Sequence, residues 1–438
     1  MNTILNPVII SVILLCILCL RKVNVLLAII IAAIFAGLTG GMNIAEVMDT
    51  FIKGMGGNAE TALSYILLGT FAAAMTHTGL ATILAKKISI AIGNKKFFLL
   101  LIITIIAMLS QNLIPVHIAF IPILIPPLLH VMNKLKLDRR AVACSLAFGL
   151  KAPYIMIPAG FGLIFQGLIA ENMTLNGMDV LKNDIWKSTW ILGLGMFLGL
   201  LFAVFISYRK PRDYQDVEFA KNKLEEDDEE ALKLNKNHYI TLIGAIATLV
   251  VQLLTKSLPL GAMVGLGIVF GGGAVSHRKM DKLINEGIGM MGYVAFVMLV
   301  AAGFALVLKQ TGGIEVLVNA ALPYMQNSRF LAVSIMLLIG LFVTIGIGTS
   351  FGTIPILAVL FIPACANLGF SPAATITILA AAAALGDAGS PASDTTLGPT
   401  AGLNADNQHN HVSDTCIPTF LHFNIPLIIF AIIAAYIY

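Results

Sequence analysis

The sequence predicts an all-α polytopic membrane protein: two inverted-topology repeats with broken or re-entrant helices and roughly 12–14 membrane segments, at about 20 apolar residues per crossing. Three observations predict it. The 438 residues are 58% hydrophobic and only 11% charged, against about 25% charged in soluble domains. Apolar runs long enough to cross a bilayer recur along the whole chain. The two halves also share an ordered set of matches on either side of one long charged stretch.

The elements follow in order. Ile4 to Leu20 has no basic residue before it and no small-residue cleavage pattern, so it reads as a retained first helix and not a signal peptide. Further spans are expected over 23–41, 61–78, 97–110, 113–132, 141–165 and 187–207. Between the second and third lies Met42 to Glu60, amphipathic and rich in Gly and Met, which suits an interfacial helix or a scaffold element. Cys16, Cys19, Cys144, Cys365 and Cys416 all lie in apolar segments, so no disulfide framework is expected.

With those spans, Arg21-Lys22, Lys86-Lys87, Lys95-Lys96 and Lys134 to Arg140 all fall on one side. The positive-inside rule makes that side cytoplasmic. The polar stretch Tyr208 to His238, with its acidic run Glu225 to Glu230, falls on the same side and reads as a solvated loop. It divides the chain into a first repeat (1–207), a cytoplasmic charged loop (208–238) and a second repeat (239–438). The first repeat crosses an odd number of times, so a second copy enters the membrane upside down. Arg278, Lys279 and Lys282, after a helix at 259–275, fit that orientation.

The halves align without a gap over Gly54 to Gly79 and Gly287 to Gly312, with Thr78-Gly79 meeting Thr311-Gly312. Ile125-Pro126 then corresponds to Ile362-Pro363, Ala147-Phe148-Gly149 to Ala384-Leu385-Gly386, and Ala170-Glu171-Asn172 to Ala405-Asp406-Asn407. Inverted repeats with broken helices recur in secondary transporters, with the site near the midplane where the repeats meet.

Four interruptions stand out. Ser110-Gln111-Asn112 precedes an apolar stretch holding Pro115, His117, Pro122, Pro126 and Pro127; Gly149 to Pro153, including Lys151, leads into Pro158 to Gly162. In the second half come Gly346 to Pro355, with Thr349, Ser350 and Thr353, and then Gly386 to Thr396. Pro removes a helix donor and Gly permits backbone geometry other residues avoid. The freed backbone groups need partners, which an ion or polar substrate supplies. The last segment carries Asp387, Ser390, Ser393, Asp394 and Thr395 at membrane depth, where a charge costs roughly 2.5–3.5 kcal/mol and marks a functional site by default.

Asp387 and Asp394 are candidates for Na⁺ ligation or proton uptake: burial raises a carboxyl's pKa and a bound cation lowers it, which is a physical basis for exchanging the two. One of them also suits the cap of a re-entrant helix. Lys151, near the register of Asp387, suits a counter-charge, a substrate-carboxylate ligand or a snorkelling surface lysine. His117 reads as an interior hydrogen-bonded ring or a titrating group, and His77 as a helix cap. His409-Asn410-His411 with Asp406 and Asp414 matches no zinc spacing and reads as a polar loop.

Gly386-Asp387-x-x-Ser390-Pro391-x-Ser393-Asp394-Thr395-Thr396 resembles the signature of the bacterial Na⁺/H⁺ antiporter family of the NhaC kind. Lys151-Ala152-Pro153 and Pro158-Ala159-Gly160 resemble a smaller branch of the same ion transporter superfamily, to which antiporters and amino-acid permeases, histidine permeases among them, are assigned. The resemblance implies two inverted repeats, each with scaffold and transport parts, a homodimer, and a multi-pass protein of the bacterial cytoplasmic membrane. On the motif it implies ion coupling at Asp387, Ser390, Ser393, Asp394 and Thr395. It names no cofactor beyond Na⁺ or H⁺ as coupling ion.

The leading expectation is therefore a secondary transporter driven by a Na⁺ or H⁺ gradient, most simply a Na⁺/H⁺ antiporter. The alternative is a cation-coupled permease for an amino acid or small organic acid. The expected partners are small ions, an organic substrate in the second case, and lipid, with no nucleic acid. A channel would need a continuous polar pore in place of four local breaks, and no nucleotide loop or catalytic metal motif points to an enzyme.

Overall fold

The computed structural model describes residues 6–438 apart from 22, 81–82, 84–94, 113–119, 160, 216–233, 256 and 327. Among the described residues the regular structure is entirely helical. The first half comprises α1 (Pro7–Leu20), α2 (Val25–Thr39), α3 (Ile44–Met55), α4 (Ala59–Thr78), α5 (Lys96–Asn112), α6 (Phe120–Lys134), α7 (Arg139–Met156), α8 (Phe161–Leu175) and α9 (Ile185–Phe202). The second comprises α10 (Lys236–Thr255), α11 (Leu258–Gly271), α12 (Met280–Gln310), α13 (Gly313–Met325), α14 (Arg329–Ile347), α15 (Ser350–Asn367), α16 (Pro372–Ala384), α17 (Asp394–Leu403) and α18 (His411–Ile437). Five stretches are individually long and apolar enough to cross a bilayer, and the bent α7–α8 pair counts as a sixth. Side chains such as Leu27, Phe202 and Met263 present an apolar exterior, as lipid contact requires.

Local chemistry sets the ends. Asn6 and Asn24 each accept from an N–H of the first turn of α1 and α2, and Asn43 with Glu46 closes a capping box on α3. Asp138 caps α7 through Arg140 N–H. The amphipathic 42–60 stretch becomes α3, which buries Val47 and Phe51 against α2 and α12. Its counterpart in the second half, the Gly- and Met-rich stretch Ser276 to Gly292, joins the next span to make one 31-residue helix, α12.

Packing displays the repeat. Gly69 lies against Gly287 and Met291, Gly54 against Ala302 and Gly303, and Asn58 Nδ2 donates to the Met298 carbonyl at 2.9 Å. Numbers rise along one element as they fall along the other, so these two equivalent elements run antiparallel. The last helices do the same: Gly195 packs on Phe430, and Tyr438 OH donates to the Lys187 carbonyl at 3.0 Å. Neighbours are exchanged between halves, α6 with α17 as α15 with α8, and α2 with α12 as α11 with α4. A Cβ on Gly149 would meet the Thr104 carbonyl and Met108 N; one on Gly386 would meet the Leu341 carbonyl and Ile345 N. The two glycines occupy equivalent settings.

The breaks are not equivalent. The helix expected over 141–165 is two helices, α7 and α8, bent by 47°. Pro153 removes a donor, and Ile157, ahead of Pro158, is extended (φ −113°, ψ 124°), as a residue before proline prefers to be. In the second half α16 ends earlier, at Ala384, and Gly386 (φ +84°) and Gly389 (φ +108°) carry the chain to α17 through left-handed conformations.

Candidate transport site

Lys151 lies about 18 Å along α7 from Arg139, at 1.5 Å per residue, near the middle of a roughly 30 Å hydrocarbon core. It is wholly buried. Its Nζ donates to the Ala384 carbonyl, the last of α16, and stands 3.5 Å from Asp387 Oδ2. The early end of α16 therefore exposes a carbonyl and a carboxylate, and the unbroken α7 brings an ammonium to both.

Asp387 is surrounded by donors. Ser350 Oγ donates to Oδ2 at 2.6 Å, and Tyr154 OH lies 3.1 Å from the same oxygen and 3.0 Å from Ser350 Oγ. Thr395 Oγ1 donates to Oδ1 at 2.5 Å, and Ser393 Oγ donates there too. A carboxylate offers about four lone-pair positions, so the protein's own donors fill them. Ser393 also caps α17 by accepting from Thr395 N–H.

Asp394 opens α17 and is half-buried, with Oδ1 3.4 Å from both Ser393 Oγ and Thr395 Oγ1. The break prevents the two acids from sharing a helix face; the two hydroxyls between them link them instead. Ser390 faces elsewhere, donating to the Ile345 carbonyl and accepting from Ala392 N–H, so it fastens the break to α14. Thr353 donates to the Thr349 carbonyl within α15, and Thr349 is its N-terminal flanking residue. Of Thr349, Ser350 and Thr353, Ser350 is the one hydrogen-bonded to Asp387. Gln111 and Asn112 end α5, and their side chains, like the whole of His117, lie outside the described residues.

Tyr154 is the residue the sequence reading missed. It lies three positions after Lys151 and so on the same face of α7, which is a usable signal in hindsight. It belongs to an aromatic wall: its ring is 5.0 Å from Phe165 and 5.2 Å from Phe351, and Phe351 is 6.0 Å from Phe161. Phe161 and Phe351 are half-buried. The site thus has an ionic side and an aromatic side. Among the described residues no three His, Cys, Asp or Glu groups gather as a metal centre.

His77, expected as a cap, lies in the last turn of α4 with Nε2 3.2 Å from Lys279 Nζ. At the basic end, Arg139 is fully buried and grips Asp406 with two nitrogens, at 2.6 and 2.5 Å, and the Leu403 carbonyl at 3.0 Å. This ties the start of α7 to the end of α17. Asp406 is thus a structural anchor.

Residues 145–433 match the Na⁺/H⁺ antiporter family, and residues 6–92 match a second family described as Na⁺-H⁺ antiporter. The chain is 47% identical to "Uncharacterized membrane protein VP2115" of Vibrio parahaemolyticus, over 98% of this chain and 99% of that one. It is 46% identical, with the same coverage, to "Putative amino acid transporter YuiF" of Bacillus subtilis. Among solved structures, the YdaH transporter of Alcanivorax borkumensis aligns over 90% of this chain and 88% of its own, at 14% identity and a TM-score of 0.43.

Proposed function

The chain belongs to the Na⁺/H⁺ antiporter family, and from that premise we propose that it is a proton-coupled carrier of amino acids in the bacterial cytoplasmic membrane. One observation carries this: the buried Lys151–Asp387 pair, with the carboxylate already saturated by Ser350, Ser393 and Thr395. An ammonium held beside the acid repels a bare Na⁺. It suits a cargo that brings its own carboxylate.

In this reading a proton on Asp387 cancels the charge that holds Lys151. The lysine then offers its donors to the substrate carboxylate, and the aromatic wall of Tyr154, Phe161, Phe165 and Phe351 takes the apolar part of the cargo. Release of the proton restores the ion pair and ejects the substrate. The empty site, Lys151 with ionised Asp387, is neutral, and the loaded one carries only the coupling proton's charge, because an amino-acid zwitterion adds none. Keeping the charge this small limits the cost of moving through a low dielectric. The chain makes and breaks no covalent bond. The name of the Bacillus relative agrees with the cargo class.

A second reading, Na⁺/H⁺ exchange without organic cargo, is favoured by the family description and by the two hydroxyls shared between Asp387 and Asp394. There Na⁺ would bind the oxygens of both acids, and Lys151 would withdraw. Proteoliposomes separate the two. Accumulation of a radiolabelled amino-acid mixture under an imposed pH gradient is expected. Alkalinisation driven by Na⁺ alone, with no amino-acid uptake, would replace the first reading by the second.

A further inference from the structure

One buried side chain grips the backbone on both sides of Asp387. Asn424, on α18, is 1% exposed. Its Oδ1 accepts from Gly386 N–H at 3.2 Å, and its Nδ2 donates to the Ala388 carbonyl at 2.8 Å. An N–H only donates and a carbonyl only accepts, so both bonds demand the same orientation of the amide. α18 meets the break at a second point as well. A Cβ on Gly389 would come within 2.5 Å of Phe420 Cβ and 2.8 Å of Phe420 Cα. Phe420 and Asn424 belong to one π-helical turn, a local widening that recurs at functional sites.

The backbone itself would not keep this shape. Gly386 (φ +84°) and Gly389 (φ +108°) stand on either side of Asp387 and Ala388, and glycine adopts either sign of φ with little preference. Asp387 therefore rides on a short span between two swivels. Its carboxylate meets Lys151, Ser350, Ser393 and Thr395 only while that span is held. The first half secures its break in another way. There α9 sends Thr189 Oγ1 to the Ile155 carbonyl, in the last turn of α7, at 2.6 Å, and Gln166 Nε2 donates to the same carbonyl at 3.3 Å. Those two donors satisfy one acceptor, and it does not flank Lys151. Asn424 instead spans the acid, with one bond before it and one after.

We propose that Asn424 is the positioning residue for Asp387: it fixes the peptide groups flanking the acid, so that the carboxylate returns to Lys151 and its hydroxyl donors each time the site empties. It acts on transport through Asp387. Without it the span turns about its glycines, the ion pair is re-formed out of place, and the step that ejects the cargo fails. Exchange of one loaded carrier for another does not pass through that step.

This inference rests on the proton-coupled reading, and the test keeps the two apart. The probe is a radiolabelled amino-acid mixture in proteoliposomes, followed in two modes: uptake driven by a pH gradient, and counterflow against the unlabelled mixture with no gradient. Asn424→Ala removes both bonds. It is expected to cut driven uptake about tenfold or more, while the rate and half-saturating concentration of counterflow stay within about twofold of wild type. Asn424→Ser, whose hydroxyl reaches at most one of the two peptide groups, is expected to fall between Asn424→Ala and wild type in driven uptake. An amide that merely satisfied the backbone would, on removal, lower both modes together. Equal loss in both modes, or no loss in either, overturns the positioning role. If Asn424→Ala does not fold, Asn424→Ser carries the test by the same criterion. Wild-type protein that ignores the pH gradient removes the coupling reading and this inference together. A wild type that responds beside an Asn424→Ala that responds equally removes the inference alone.

Discussion

The two broken helices, α7–α8 and α16–α17, hold equivalent positions in the two halves and differ in where they break. Gly149 and Gly386 sit in equivalent settings against their neighbouring helices. Yet α7 continues past its glycine to Met156, whereas α16 has already ended at Ala384. One copy runs on as helix across Pro153 and projects a lysine and a tyrosine. The other stops short and presents a carbonyl, a carboxylate and two hydroxyls, those of Ser393 and Thr395. The difference teaches that the site is made by asymmetry between copies: two identical breaks would have placed like groups opposite like.

The comparison breaks most sharply at Asp387. Asp387→Asn is expected to abolish driven uptake, with folded protein recovered by size-exclusion chromatography; driven transport at the wild-type rate would remove Asp387 from the coupling step. Asp394→Asn is expected to abolish coupling as well, though for a different reason, because it sits at the edge of the donor set and not at its centre. Counterflow moves no net proton, so it should survive in Asp387→Asn, whose amide imitates the protonated acid that frees Lys151; loss of counterflow there would count against that role.

Lys151→Met tests the intact helix. It leaves a buried carboxylate without its counter-charge, a loss of about 3–5 kcal/mol, read as a fall in thermal unfolding temperature. The double variant Lys151→Met/Asp387→Asn should recover most of that stability without recovering transport. Next come the glycines. Ala at 149 and at 386 each meets neighbouring backbone, but position 386 also carries φ +84°, adding about 1–2 kcal/mol of left-handed strain. Equal destabilisation would mean that the backbone at 386 relaxes. The smallest effect is expected of Tyr154→Phe, which removes one hydroxyl from a carboxylate that keeps several donors, about 1 kcal/mol in stability. A larger effect on substrate affinity than on unfolding temperature would assign the hydroxyl to the cargo.

How much was legible beforehand follows from what each residue does. Asp387 and Lys151 stand out because a charge inside an apolar run has few explanations. Ser350, Ser393 and Thr395 were named because they share segments with breakers, and the structure gathers them on Asp387. Ser390 and Thr353 were named on the same ground and turn out to satisfy backbone carbonyls, since a hydroxyl's composition does not say which way it points. Tyr154 escaped because an aromatic in a membrane helix is unremarkable until its neighbours are known. The split of 141–165 was half visible: the prolines and glycines marked an interruption, but not that both sides would remain regular helix. The repeat was readable through Thr78-Gly79 and Thr311-Gly312, whose glycines both adopt left-handed caps. Its antiparallel crossing came only from contacts between distant residues.

That crossing has a consequence for ancestry. Equivalent helices lying head to tail belong to copies that sit in the bilayer in opposite senses. A free-standing half could build this arrangement only if its molecules inserted both ways, with a charge balance that left orientation undecided. Joining the halves in one chain removes the requirement, because each half then inserts once and in one sense only. Each copy could then fix its own charges and drift from the other. The lysine of one and the aspartate of the other are what that freedom left behind.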